Sequence, residues 1–106
     1  MIAGVVTFHI KPGKLDEAVA IWKNKVLPQG PQQQGFRGAM LLVDATQNVI
    51  VGYGLWQDQA AADAWASTGP WHPDSPLREQ FAALESAPPT RQEFDVAYLK
   101  VAGDVA

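Results

Sequence analysis

The N-terminal run MIAGVVTFHIKPG carries apolar residues on both of its alternating faces, and this limits what the chain can build. β-Branched and aromatic residues fill Ile2–Lys11, and Pro12-Gly13 ends the run as a strand is ended. Val6, Phe8 and Ile10 share one face, while Val5, Thr7 and His9 share the other. The second face is the less apolar of the two, yet too apolar for open solvent. Such a strand belongs in a sheet covered on both sides.

The rest of the chain supplies partners for that strand. Leu15, Ala18, Val19, Trp22 and Val26 recur at helical spacing. Asp16 and Glu17 suit the positive end of the helix and Lys23 and Lys25 the other end. Pro28 is expected to stop it, leaving PQGPQQQG as a polar loop. Phe36–Asp44 and Asn48–Gln57 read as strands joined by the turn Ala45-Thr46-Gln47. Gly52 and Gly54 share a face with Ile50 and Trp56, which predicts a bulge or a close approach by another backbone, with open space beside Trp56. Asp58 caps a short helix over Gln59–Ser67, whose apolar stripe includes Ala61, Ala62 and Trp65. The segment GPWHPDSP then interrupts the helical pattern, and Ser75-Pro76 starts it again, with Leu77, Phe81 and Leu84 as the buried stripe. Pro88-Pro89 break this helix, and Arg91–Val101 reads as a last strand with Phe94, Val96 and Tyr98 on one face. Residues 102–106 are expected to form a loose tail or an arm.

The order β-α-β-β-α-β, with its second helix split, is the ferredoxin-like arrangement. It predicts an α+β fold with a four-stranded antiparallel sheet and the helices on one face. The other face would carry apolar residues from every strand, more than a monomer tolerates in water. A homodimer with sheets face to face is therefore expected, with an enclosed space where polar residues such as Thr7 or His9 meet a ligand. At 106 residues the chain makes one domain, residues 1–106.

Composition excludes several function classes. The eight Lys and Arg residues are scattered and the net charge is −3, which argues against nucleic acid. No apolar run approaches the roughly 20 residues of a membrane span. The N-terminus lacks the positive region of a signal peptide, so a cytoplasmic location is expected. Without cysteine there is no disulfide, thiol nucleophile or thiolate metal site. No Gly-x-Ser-x-Gly, phosphate-binding loop or dinucleotide fingerprint occurs.

Three segments, VVTFHIKPGKLDEAV, GFRGAMLLVD and YGLWQDQAAADAW, resemble the antibiotic biosynthesis monooxygenase family of dimeric α+β barrels. The first matches a strand, Pro-Gly turn and Glu-rich helix start. The second matches a Pro-Gly-Phe-x-Gly strand start, with Gln34 where the family has proline. The third matches a strand ending in tryptophan, then a polar cap and a helix. The resemblance covers Val5 to about His72.

It implies oxidation of a small phenol or quinol by O₂ with no metal or organic cofactor. Such chemistry needs an acid–base group, a donor for the substrate anion and a dry aromatic cavity. The alternative is a non-catalytic small-ligand-binding or stress-associated dimer of the same fold. Haem degradation ranks last. Trp65 and His72 imitate that branch's tryptophan and histidine, but they are too closely spaced, and prolines interrupt the helix that should carry the ligand. Its asparagine falls at about Val6.

Within this frame His72 reads as the base, or as a haem ligand, against a loop histidine satisfied by backbone groups. His9 reads as a second catalytic candidate, against a hydrogen-bonded core residue. With only two imidazoles, a histidine-rich metal site within one chain is excluded, and no carboxylate-rich metal spacing occurs. Arg37 is a candidate cation for a phenolate, against a strand-edge arginine in solvent. Thr7, Tyr53 and Trp56 are candidate substrate contacts, Trp56 also reading as a packing residue. Trp71 would cap the open end of a pocket or pack on a partner, and Trp22 and Trp65 read as core.

Overall fold

The computed structural model describes residues 1–72 and 74–102, so Pro73 and all of the expected tail except Ala102 lie outside the described residues. Its elements run β1 (Ile2–His9), α1 (Leu15–Ile21), β2 (Phe36–Asp44), β3 (Val49–Trp56), α2 (Gln59–Thr68), α3 (Pro76–Ala82) and β4 (Thr90–Asp95). The four strands form one antiparallel sheet in the order β2-β3-β1-β4. This is the expected α+β, ferredoxin-like arrangement, with the second helix split into α2 and α3.

Register decides what each face offers. Phe8 pairs with Ile50, Val6 with Gly52, Gly4 with Gly54 and Ile2 with Trp56. Phe8 and Ile50 pack with Ala18, Ile21 and Trp22 of the first helical segment and with Phe81 of α3. Ile2 and Trp56 pack with Ala62 of α2 in a second, smaller core. All three helices therefore lie on one face. The opposite face holds Val5, Thr7, Val51, Tyr53 and Leu55, and beside them Met40, Leu42 and Phe94 remain 49%, 43% and 50% exposed.

The first helix does not end at Pro28. It continues past α1 as a π-turn over Trp22–Val26 and a 3₁₀ turn over Leu27–Gln32, so most of the expected polar loop is helical. Pro28 has no N–H for the carbonyl of Asn24, and its ring would clash there in an α-helix, so the turn widens before it. The last strand is shorter than Arg91–Val101. Its final pair is Ile2 with Asp95, and the Val96 N–H then reaches the Met1 carbonyl at 3.0 Å. β1 begins at Ile2, and its pairing with β4 stops there.

Local chemistry closes the turns. Asp44 Oδ1 accepts the N–H groups of Thr46 and Gln47 at 3.1 and 3.2 Å, and Asn48 takes a positive φ of 56° to enter β3. Gly35 at φ 84° turns the chain into β2 where a β-carbon would stand 2.6 Å from that of Ala61. Asp58 Oδ1 accepts the Ala61 N–H at 2.9 Å and caps α2, and the Ser75 hydroxyl accepts the Leu77 N–H at 3.2 Å and caps α3. Among the described residues no helix is long and apolar enough to cross a membrane.

Candidate functional site

The pleat leaves the middle of the helix-facing surface almost bare, because Gly4, Gly52 and Gly54 occupy adjacent positions there. No register shift occurs at Gly52 or Gly54. The sheet's irregularity lies between Phe36 and Gly38 instead. What approaches the two glycines is side chain rather than the expected backbone. The six-membered ring of Trp22 lies over Gly52, and the indole nitrogen of Trp56 lies over Gly54, 2.8 Å from where a β-carbon would stand.

Around this bare surface is a partly open cavity of about 210 Å³. Its walls are Trp22, Trp56, Trp65, Trp71, Phe8 and Phe36. All four tryptophans of the chain thus contribute, including Trp22 and Trp65, which also fill the core as expected. The aromatic rings form two groups. Trp71 stands 5.2 Å from both Phe8 and Trp22 and 5.0 Å from Phe81. Trp56 stands 5.7 Å from Phe36 and 5.3 Å from Trp65. The cavity borders both groups.

Two cations reach it. Arg78 of α3 forms a two-pronged ion pair with Glu85 at 2.8 and 3.3 Å, with Arg78 25% and Glu85 6% exposed at their side chains. Arg91 of β4 pairs with Glu93 at 3.0 Å. The two-pronged pair orients the Arg78 guanidinium, whereas Arg91 makes a single contact on a more exposed pair, and neither pairing uses all five N–H donors. The indole nitrogens of Trp22 and Trp71 are buried without any acceptor. Among the described residues, the cavity lining contains no carboxylate and no imidazole.

The candidates read from the sequence divide. Trp56 and Trp71 line the cavity, and Tyr53 borders it between two glycines, although strand alternation sends its hydroxyl to the helix-free face. Thr7 lies on that same face, paired with Val51 and Thr90. His9 is exposed at the end of β1. Arg37 is exposed beside the irregular start of β2, where its guanidinium donates to Gln57 Oε1 at 2.6 Å. His72 lies in a separate shallow depression with Ser67, Thr68, Asp74 and Ser75, its side chain 39% exposed. Its Nδ1 accepts the Asp74 N–H at 3.1 Å. The structure therefore does not bring His72, His9 and Arg37 to one cavity.

Arg78 and Arg91 are what the sequence reading missed. One signal was available for Arg78: it precedes Glu85 by seven residues, two helical turns, beside the buried stripe of Leu77, Phe81 and Leu84. Arg91 alternates with Glu93 on a short strand and carried no comparable mark. Among the described residues no group of three or more His, Asp or Glu could hold a metal ion.

Similar folds are known. The chain matches a crystal structure of an antibiotic biosynthesis monooxygenase at 20% identity and TM-score 0.76, covering 92% of this chain and 100% of that one. It matches a monooxygenase from the ActVA-Orf6 gene of Streptomyces coelicolor, solved in complex with nanaomycin D, at 20% identity and TM-score 0.73, covering 96% and 92%. It also matches the NE2512 protein of unknown function from Nitrosomonas europaea at 19% identity and TM-score 0.71, covering 97% and 95%. At such identities the likeness speaks for the fold. Among curated proteins none matches the chain. The family model described as antibiotic biosynthesis monooxygenase matches residues 1–73, strands β1 to β3 and helix α2 included, and the chain belongs to that family.

Proposed function

We propose that this protein is a homodimeric, cofactor-independent monooxygenase that oxidises a small phenol or quinol with O₂. The observation that carries the reading is the aromatic cavity with two arginines at its edge. A flat, electron-rich ring has apolar surface to bury there, and Arg78 or Arg91 can hold a phenolate oxygen. The reaction needs no outside electron donor. One oxygen atom of O₂ enters the ring. The other leaves as water, with hydrogens from the replaced C–H and the phenolic O–H, so a phenol becomes a quinone.

The lining offers cations rather than a base, so the proton leaves to solvent and the substrate is held as its anion. Walls of tryptophan and phenylalanine limit water at the reacting carbon, and the Arg78 guanidinium, held by Glu85, favours the charged form without rearranging. His72 lies outside this cavity, which gives the haem-binding reading no support. The exposed apolar face with Met40, Leu42 and Phe94 supports the dimer.

A panel of monohydric and dihydric naphthols, incubated with the protein in air and under nitrogen, tests the reading. Protein-dependent uptake of one O₂ per quinone formed is expected, and Arg78→Met should lower kcat/KM about tenfold or more. No O₂ uptake with any member of the panel would favour the non-catalytic binding protein.

A further inference from the structure

Gly4 stands in the middle of β1, a central strand, paired with Gly54 on one side and Glu93 on the other. Glycine weakens a strand, so one placed there has a reason. Conformation does not supply it, since positive φ among the described glycines occurs only at Gly13 and Gly35. Crowding does not supply it either. A β-carbon at Gly52 would strike the Trp22 ring and one at Gly54 the Trp56 indole nitrogen, but one at Gly4 would meet nothing within 4 Å. The vacant space beside Gly4 is the cavity itself.

We infer that Gly4 determines which ligand this cavity takes: a fused aromatic ring system of about two rings lies flat on the bare backbone at Gly4, one edge against the Trp56 indole. The inference rests on the cavity being the working site proposed above. The size follows from volume. A cavity of about 150 Å³ holds one benzene ring, and the 210 Å³ here leaves room for roughly one more fused ring. The orientation follows from the neighbours. Val6 continues the apolar floor along β1, and the Trp56 indole over Gly54 bounds the vacant place at one end. Any larger residue at position 4 would project a side chain where the ring lies.

Calorimetric titration with 1-naphthol and with phenol under nitrogen, on the wild type, Gly4→Ala and Gly4→Val, tests this without turnover. Gly4→Val should weaken 1-naphthol binding by about tenfold or more while phenol changes far less. Gly4→Ala should fall between, and its thermal midpoint should equal or exceed that of the wild type. Equal 1-naphthol affinity in all three proteins, or no binding by the wild type, would overturn the inference. So would a lowered midpoint in Gly4→Ala, which would make the glycine a requirement of folding; that variant carries the test if Gly4→Val does not fold. Loss of the oxygenase reading alone leaves these binding results intact. Naphthol oxidation that Gly4→Val does not slow would overturn the Gly4 assignment and spare the reaction.

Discussion

Trp71 and His72 are consecutive, yet they end on opposite sides of one turn. The His72 N–H bonds the Gly69 carbonyl at 3.1 Å, and this tight reversal sends Trp71 inward against Phe8 and leaves His72 outside. In the sequence the two look like one exposed pair at a pocket rim. Periodicity cannot separate neighbours in a turn, because no regular repeat assigns them faces. The two glycines of β3 were more legible: open space beside Trp56 was expected, and the bare sheet surface is there. What fills it, the Trp22 ring from a distant helix, depends on tertiary contact that no local pattern encodes. Because that ring lies directly over Gly52, Gly52→Ala should push it aside and lower stability by about 1–3 kcal/mol, read as a reduced urea midpoint at unchanged slope.

The elements themselves were nearly all legible, because each start or stop has a local cause. Asp58 and Ser75 cap α2 and α3 where the sequence placed those caps. The misplacements have different causes: the first helix passes Pro28 because a widened turn and then a 3₁₀ turn accommodate the proline, and the last strand ends where its pairing with β1 ends. The Asp58 cap also makes a testable pH dependence. The bond from the Ala61 N–H, and next the Gln57 side chain, lower its pKa below the ordinary 3.8. A lowered folded-state pKa means the contribution is present above 3.8 and is lost as pH falls through the folded value. Asp58→Ala should therefore lower the thermal midpoint at neutral pH, and its gap from the wild type should narrow in acid, as melting curves across that range would record.

At the scale of the whole molecule, the four-stranded antiparallel sheet and the one-sided placement of the helices were expected from the order of elements, and the structure has them. Of the arginines at the cavity, Arg78 left a mark in its spacing to Glu85, while Arg91 left none, because its place at the cavity depends on tertiary contact. The helix-free face gives the last prediction. Stable interfaces bury roughly 800 Å² on each partner, and the face bearing Met40, Leu42 and Phe94 is the exposed apolar part of the sheet. Met40→Glu with Phe94→Glu should weaken a dimer by roughly a hundredfold or more while leaving the circular dichroism spectrum unchanged. Light scattering at micromolar concentration reads the outcome, and a monomeric wild type would refute face-to-face pairing.

The two aromatic groups on either side of the cavity have one more consequence. Phe8, Trp22, Trp71 and Phe81 form one, Phe36, Trp56 and Trp65 the other, and the cavity touches both. A small domain normally closes its interior with its own side chains. Here Trp65 already packs against both clusters, and a ring in the cavity would add a second tie between them, so binding at that place would also raise the stability of the fold.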